Sequence, residues 1–158
     1  MDPTESLPLK SLLERQPVAA LATLHRGRPS VSMVPFALLP QGAGVVIHVS
    51  GLATHTQDML ASPEVGLMVM ESPAEVESVL ALPRASLQGV ARQCFPDSAP
   101  YDQARAAYLA KLPESEELFS FTDFSLFVIE LHSIRYVAGF GKAFSFIPEQ
   151  FAALMGAP

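Results

Sequence analysis

The chain has no tryptophan, one cysteine and few charged residues. Charged side chains make up 16% of its 158 residues, and Cys94 is the single cysteine. One thiol cannot form a disulfide within the chain, so a disulfide framework is excluded and a reducing compartment is expected. Because no histidine lies near it in sequence, we expect this thiol to be packed or exposed rather than a nucleophile.

Basic residues are scarce, and long apolar runs are missing. Ten lysines and arginines stand against sixteen acidic residues, which gives a formal net charge of −6. Binding to nucleic acid or to an anionic membrane needs an excess of positive charge, so neither partner is expected. No apolar run approaches the roughly 18 residues of a membrane span, and no signal peptide is visible at the N-terminus. We therefore expect a cytoplasmic protein.

Motifs for metal binding and for nucleophilic catalysis are missing as well. The four histidines, His25, His48, His55 and His132, form no pair at helical spacing, and no cysteine pair accompanies them. Zinc motifs need such pairs, so no metal site is predicted. There is no Gly-x-Ser-x-Gly sequence either. No catalytic acid, base or nucleophile is assigned, and His132 is expected at a surface or an interface.

Apolar residues, by contrast, make up 49% of the chain. A chain of this length can bury a core as one domain. With so few charges it would still expose apolar surface, so we expect a homodimer that covers it. Residues 1–8 are expected to be a flexible lead-in, and residues 9–158 a single domain.

Short runs rich in Val, Ile and Leu, each bounded by Gly or Pro, predict β-strands. Three consecutive antiparallel strands come first, and Gly89 predicts a bulge in a later one. The order lacks the strand–helix alternation of a doubly wound sheet. The expected fold is β-rich α+β: a small antiparallel split β-barrel of six or seven strands, of Greek-key type, with short peripheral helices. Strands are predicted over 18–25, 29–39, 45–49, 64–70, 85–92, 124–131 with a continuation over 134–137, and 143–146; helices over 9–16, 54–61, 73–80, 97–112, 114–120 and from 148.

A helix start directly after a strand predicts an anion site. Thr54, followed three residues later by Gln57, has the spacing of a capping box. The free N–H groups and the dipole at a helix start favour an anion such as a phosphate. The side chains of Thr54, His55 and Thr56 could add hydrogen-bond donors.

The strand segment 32–36 predicts a surface for a flat ring. Pro35 cannot donate to a strand ladder, so this strand could offer its carbonyl and N–H groups to a ring. His48 and Ser50 are expected across from it on the next strand, which leads to the helix start. A planar apolar ring with a phosphate tail would match this layout. The alternative is that these are ordinary core strands and an ordinary capped helix.

The order and spacing of several motifs resemble those of the FMN-binding split barrels related to pyridoxamine 5′-phosphate oxidase. The resemblance covers roughly residues 9–146, and the later motifs are closest to the heme-iron-utilisation (HugZ-like) branch. The motifs lie at residues 19–36, 52–56, 62–69, 82–84 and 135–141.

The resemblance implies a homodimer with two FMN molecules at the subunit interface. The 32–36 segment would line the ring and the ribityl chain, residues 48–50 would flank it, and residues 55 and 56 would meet the phosphate. Arg84 would contact the flavin from a later strand. The residues that the resemblance assigns to cofactor binding are Ser32, Met33, Val34, Pro35, Phe36, His48, Val49, Ser50, His55, Thr56 and Arg84.

Departures from the family pattern bear on the expected activity. His55 and Thr56 stand where the oxidases carry an Arg-Lys pair, so a phosphate loses its best partners. The C-terminal Trp and Arg-x-His elements of the oxidases are missing, so oxidation of pyridoxamine 5′-phosphate is not expected. Because the sequence ends at Pro158, we also expect the C-terminal module often found in the heme branch to be absent.

The sequence thus favours an FMN-binding split barrel that acts as a flavin-dependent oxidoreductase on an unidentified small molecule. In such a site the flavin does the chemistry, and the protein positions and tunes it. One alternative is a heme-binding or heme-utilisation protein on the same fold. Another is a non-catalytic dimeric domain without a cofactor.

Overall fold

The computed structural model of the protein describes residues 3–73 and 77–156. Within this part of the chain, no helix is long and apolar enough to cross a membrane. The α-helices are α1 (Pro3–Arg15), α2 (Thr54–Ala61), α3 (Ala99–Lys111) and α4 (Pro148–Met155); the strands are β1 (Val18–His25), β2 (Arg28–Pro35), β3 (Ala37–Leu38), β4 (Val45–Ser50), β5 (Glu64–Met70), β6 (Arg84–Cys94), β7 (Phe124–Gly139) and β8 (Lys142–Phe146); the 3-10 segments are Pro40–Gly42, Val79–Ala81 and Pro113–Ser120.

The strands form one antiparallel sheet in the order β2-β1-β5-β6-β7-β4-β3. The long strand β7 organises the second half of this sheet. Its first part pairs with β4 and its last part with β8, while β6 runs along its other edge. The sheet is curved but not closed, which confirms the predicted antiparallel split barrel with peripheral helices.

The hydrophobic core has two layers on opposite sides of the sheet. The larger layer fills the barrel and is closed by apolar residues of α1 and α4. The smaller layer lies between the sheet and α3, and its buried members are Ala37, Val46, Ala104, Tyr108, Leu112 and Leu126. Lys111 at the end of α3 joins the layers, because its Nζ donates to the carbonyl oxygens of Leu13 and Gln16 at 3.0 and 2.7 Å.

One predicted strand is wrong in a way that matters for the site. The strand predicted over 29–39 is two strands, β2 and β3, separated by Phe36. Phe36 is fully buried in the barrel, and its N–H donates to the Pro17 carbonyl oxygen at 3.2 Å. The chain therefore leaves β1 at this residue, and β3 pairs with β4 instead.

Other boundaries shift for local reasons. Helix α1 begins six residues before the predicted start at residue 9. The predicted continuation of the strand over 124–131 into residues 134–137 is confirmed, because both belong to one strand, β7. The bulge predicted at Gly89 is confirmed by a register shift between Gln88 and Gly89, where a Cβ would collide with the Glu130 carbonyl oxygen. Of the helix predicted over 73–80, residues 74–76 lie outside the described residues, and the described part ends in the 3-10 segment Val79–Ala81.

Candidate functional site

The residues predicted to contact a cofactor do not meet at one place in a single chain. Successive side chains of a strand point to opposite faces of a sheet. On β2, Ser32 and Val34 lie opposite Leu21 and Ala19 of β1, whose side chains are buried in the barrel. Val34 belongs to that core, and the Ser32 Oγ is buried without a hydrogen-bond partner among the described residues.

The alternate residues of β2 point away from the barrel. Met33 is 63% exposed, and Pro35 is exposed on the same face. Strand β2 therefore divides the predicted ring-contacting residues between the barrel interior and its outer surface. A single cofactor on either side reaches only half of them.

Strand β4 divides its residues in the same way. Val49 is buried in the barrel core, whereas His48 pairs with Leu126 of β7, beneath α3. The prediction that His48 and Ser50 lie across from β2 on the neighbouring strand is wrong. Strand β4 lies between β7 and β3, because the break at Phe36 removes β2 from its edge.

His48 sits in an aromatic layer that leaves no room for a flat ligand. Its ring stacks on Phe119 with 3.8 Å between ring centroids, and Tyr108 and Phe124 contact its edges. The side chain is buried, and its Nδ1 has no hydrogen-bond partner in the described part of the chain. Burial, reinforced by the positive charge of Arg105, lowers the pKa of His48 to about 4. The imidazole is therefore neutral at pH 7 and packs as an aromatic side chain.

Helix α2 begins at Thr54 as predicted, but the predicted capping box is wrong. The N-cap position belongs to Ala53, whose side chain cannot cap. The Gln57 side chain does not return to the helix start and donates to the Gly51 carbonyl oxygen at 2.9 Å. This side chain therefore bonds to the loop before the helix rather than to the first turn of the helix.

The predicted phosphate donors on α2 are largely committed to the protein itself. The Thr56 hydroxyl donates to the Ser50 carbonyl oxygen at 2.6 Å, and Thr56 is 1% exposed. The pKa of His55 is lowered, chiefly by burial, with the Asp58 charge acting in the opposite direction. A neutral imidazole and an occupied hydroxyl do not supply the positive charge that an FMN phosphate needs. The residues present at this helix start therefore fit FMN poorly.

Arg84 lies at the opposite end of β6 from the His48 layer. It pairs with Val137 of β7, whereas Cys94, ten residues further along β6, pairs with Leu126. Leu126 is the partner of His48 on β4. Ten residues of strand extend about 33 Å. One chain cannot bring Arg84 and His48 to one ligand, so only a second copy could add Arg84 to a shared site.

Sequence reasoning predicted exposed apolar surface but not its position, which is a surface that we call the outer face. Its exposure is large, with Val31 at 73%, Met33 at 63% and Met70 at 52%. The signal was present in β2, where apolar side chains occupy both alternating faces, so both sides of the strand need a cover. The outer face consists of Val18, Ala20, Ala22, Leu24, Val31, Met33, Pro35, Gly66, Met68 and Met70 on β1, β2 and β5.

Arginines border the outer face on the side of β6 and β7. Arg84 lies directly opposite Met70 of β5, and its guanidinium donates to the Leu82 carbonyl oxygen at 2.9 Å. Arg135 of β7 lies in the same cross-strand row as Met68. The outer face therefore changes from apolar to positively charged across the sheet.

A second feature missed from the sequence is a histidine held by a buried carboxylate. Asp58 of α2 is 5% exposed and accepts a hydrogen bond from the Thr23 hydroxyl at 3.2 Å. Its other oxygen lies 2.7 Å from Nδ1 of His25, at the end of β1. The two polar side chains alternate in an otherwise apolar strand, which is the sequence signal. These contacts fasten α2 to β1.

No group of three or more His, Cys, Asp or Glu side chains in residues 3–73 and 77–156 is arranged to hold a metal ion. His25, His55 and His132 each stand with at most one carboxylate close by. A ligand that brings its own metal, such as heme, needs only one protein side chain. The partly exposed histidines could serve in that way, whereas the buried His48 could not.

Comparisons with known proteins agree with the fold and identify proteins that are similar to this chain. The family model described as pyridoxamine 5′-phosphate oxidase matches residues 8–138. The chloroplastic heme oxygenase HOZ of Arabidopsis thaliana is 38% identical over 122 residues, which are 76% of this chain and 35% of that protein. The chain thus spans about a third of the length of this relative.

Two solved structures are similar over most of the chain. A heme binding protein from Mycobacterium smegmatis superposes with a TM-score of 0.83 and 28% identity, covering 97% of this chain and 61% of that one. HutZ, the heme storage protein from Vibrio cholerae, gives a TM-score of 0.74 and 26% identity, covering 81% and 90%. With the family match over most of its length, the chain belongs to the pyridoxamine 5′-phosphate oxidase family, on its heme-iron-utilisation (HugZ-like) branch.

Proposed function

We propose that the protein is a homodimer that binds heme at the outer face. The observation that carries this proposal is the wide exposed apolar surface of β2, β1 and β5, bordered by Arg84 and Arg135. Heme is a flat apolar ring with two carboxylates. An apolar surface with guanidinium groups at its border complements both parts.

The shape of the outer face supports a flat ligand. Its middle carries the small residues Ala20, Ala22 and Gly66, while the larger Val31 and Met33 stand on the neighbouring strand. The three strands β1, β5 and β6 together span about 10 Å in the hydrogen-bonding direction. Small side chains therefore lie at the centre of this surface, and the larger Met33 and Met68 stand beside them on the neighbouring strands.

The same surface supports dimerisation. Exposed apolar area of this extent on a monomer usually marks an interface, and proteins of this fold are often dimers. A second copy would cover Val31 and Met33 and would bring its own Arg84 to the site. The proposal includes a cytoplasmic location, in keeping with the single cysteine.

FMN-dependent oxidation of a small molecule is the second candidate function. The family match favours it, and so does the position of Arg84 on the outer face. The helix start of α2 argues against FMN. The Thr56 hydroxyl is already bonded to the Ser50 carbonyl oxygen, and residues 54–57 include no lysine or arginine to bind a phosphate. Heme has no phosphate, so the lack of a phosphate site does not argue against heme binding.

Bound heme would supply an iron centre for oxygen or storage chemistry, and the chain would supply the surroundings. Its apolar strands would exclude water from the ring, and its arginines would hold the propionate groups. No acid, base or nucleophile of this chain is assigned a catalytic role.

Parallel titrations test the proposal. The purified protein is titrated with ferric heme and, separately, with FMN, while absorbance and flavin fluorescence are recorded and light scattering gives the mass. We expect a Soret band that saturates at one heme per chain in a dimer, and weaker or no binding of FMN. Saturable FMN binding without heme binding would favour the second candidate. Binding of neither would leave a domain without a cofactor.

A further inference from the structure

We infer that His132 binds the heme iron through its Nε2 at the outer face. This inference deepens the proposed function and rests on it. The observation behind it is a bulge in β7 that turns the His132 side chain onto the same side of the sheet as the outer face. The proposed function names the surface that holds heme, whereas this inference names the atom that binds the iron.

The bulge places two consecutive side chains of β7 on one side of the sheet. The register against β6 passes from Ser133 directly to Leu131, so His132 between them is skipped. Leu131 and Ile134 both pack in the barrel, although residues three apart on a regular strand point to opposite sides. His132 and Ser133 therefore both point out of the barrel. An extra residue of this kind re-aims a side chain and is frequent beside functional sites.

The imidazole of His132 reaches across the sheet to the outer face. Its Nε2 lies 3.2 Å from Glu64 Oε2 of β5, and β6 lies between β5 and β7. Together with Ala22, Leu24 and Gly66 of the outer face, it lines a cavity of about 360 Å³. Ala22 and Gly66 pair with each other across β1 and β5. Their small side chains leave space for a flat ring beside the imidazole.

The arginines that border the outer face lie at a suitable distance from His132. Arg135 follows it by three residues on β7, and Arg84 lies four residues before Gln88, the partner of Ser133 on β6. These separations correspond to about 10 and 13 Å along the strands. They are comparable with the distance from the centre of a porphyrin to a guanidinium that holds one of its propionates. One ligand can therefore have its iron at His132 and its propionates at the arginines.

The contact with Glu64 does not prevent coordination. The His132 and Glu64 side chains are 51% and 65% exposed, and ion pairs at such positions contribute little. An ionised carboxylate only accepts hydrogen bonds, so Nε2 carries the proton of the neutral ring before heme binds. On binding, this proton passes to Nδ1 through solvent, the Nε2 lone pair bonds to the ferric iron, and a water ligand leaves the iron. No electron is transferred.

The other three histidines, all in the described part of the chain, are placed elsewhere. His25 lies on the barrel-facing side of β1, and its Nδ1 is 2.7 Å from Asp58 Oδ1. His55 is on α2, the helix that Asp58 fastens to that same side. His48 is buried beneath α3 among aromatic rings. His132 is thus the histidine that a ligand on the outer face can reach.

The test uses His132→Ala in the full chain, titrated with ferric heme. Because His132 is 51% exposed, the variant should fold as the parent does. We expect a shifted Soret band and a change of iron spin state by electron paramagnetic resonance. The affinity should be at least about 10-fold weaker, since even the loss of an outer partner at a metal site has an effect of that size. Added imidazole should restore the parent spectrum.

Glu64→Ala tests which nitrogen binds the iron. The change removes the carboxylate that competes with iron for Nε2, so heme should bind up to about 5-fold more tightly, with the Soret band in the position of the parent. Weaker binding would contradict coordination through Nε2. His25→Asn is the matched control, because its amide can still donate to Asp58, and it should keep the spectrum and affinity of the parent.

Rival outcomes separate this inference from the proposed function. If the parent binds heme and His132→Ala keeps its spectrum and affinity, the inference fails and the proposed function stands. If His25→Asn or His55→Ala shifts the Soret band and His132→Ala does not, another histidine is the ligand and the inference is overturned. If the parent does not bind heme, the proposed function fails and the inference fails with it.

Discussion

The region of the sheet beneath α3 and the outer face of β2, β1 and β5 both lie outside the barrel and are both apolar, yet they differ in what covers them. Beneath α3, the side chains of β4 and β7 are packed against Tyr108, Leu112 and Phe119. On the outer face, Val31 and Met33 are exposed to solvent. An uncovered apolar surface needs a partner or a ligand, so the outer face is where function is expected.

Two histidines show how burial changes the state of an imidazole. His48 lies outside the barrel beneath α3 and is enclosed by aromatic rings; its Nδ1 has no described partner and its pKa is lowered to about 4. His25 lies on the barrel-facing side of β1 with Thr23, is half-exposed and is oriented by Asp58. Burial without a partner keeps the His48 imidazole neutral at pH 7, whereas the His25 ring remains open to solvent.

The largest effect is expected from a charge on the outer face. Met33→Glu places a carboxylate on a surface that a second copy would cover, where it must be desolvated or face its own symmetry mate. The dimer dissociation constant should rise by at least about 100-fold, which corresponds to roughly 3 kcal/mol. Because Met33 is 63% exposed, the monomer should still fold. Sedimentation velocity over a range of concentrations measures the change.

Leu52→Glu is the matched control for this change. Leu52 is 86% exposed in the loop before α2 and lies outside the outer face. Its dimer dissociation constant should match that of the parent. An equal loss of dimer in both variants, or in neither, would contradict the outer face as the interface.

A smaller effect, on the free energy of unfolding, is expected from His48 as the pH falls. The unfolded chain gains a proton near pH 6.5, whereas the folded chain gains it only near pH 4. Between these values the unfolded state binds more protons, so stability falls as pH drops from 6.5 to 4. At about 1.36 kcal/mol per unit, the loss is up to about 3 kcal/mol. His48→Leu should remove that part of the loss in urea unfolding at pH 7, 6, 5 and 4.

Heme binding at pH 7 should be unchanged in His48→Leu, because that side chain is covered by α3 and lies outside the outer face. A weaker heme affinity in His48→Leu with an intact fold would contradict the division between the two regions.

The smallest effect is expected at the start of α2. Thr56→Val keeps the shape of the side chain but removes its 2.6 Å hydrogen bond to the Ser50 carbonyl oxygen. The free energy of unfolding should fall by about 1 kcal/mol, because one hydrogen bond is lost while the Ser50 carbonyl oxygen still accepts from the Ala53 N–H at 3.1 Å. Thr54→Val, at the exposed first position of the same helix, should change it little. If Thr56→Val left stability unchanged and weakened FMN binding, the predicted phosphate site would be restored.

Local patterns in the sequence were enough to predict most elements of the fold. The hairpin of β1 and β2 follows from two apolar runs around the turn at Gly27, and the helix start at Thr54 follows from the polar residues after β4. Gly89 marked the bulge in β6 because no other residue leaves room for the neighbouring carbonyl. Each of these features depends either on residues that are close in sequence or on the conformation of a single backbone position.

The candidate site was harder to predict because it depends on distant residues. The sequence does not reveal that Phe36 turns into the core and leaves β4 to pair with β7, since strand order is set by packing of the whole barrel. It also does not reveal that Thr56 bonds to Ser50 or that Asp58 reaches His25. A capping-box spacing at Thr54 is a local signal that the tertiary contacts of α2 overrule.

Hydrogen–deuterium exchange of the protein with and without ferric heme tests the central claim most directly, because it reports on the outer face and on the region beneath α3 in one experiment. We predict that heme slows exchange in residues 18–35, which carry the outer face and the turn at His25, and leaves residues 99–120 around His48 unchanged. Protection confined to residues 99–120, or no protection anywhere when heme is bound, would contradict the account.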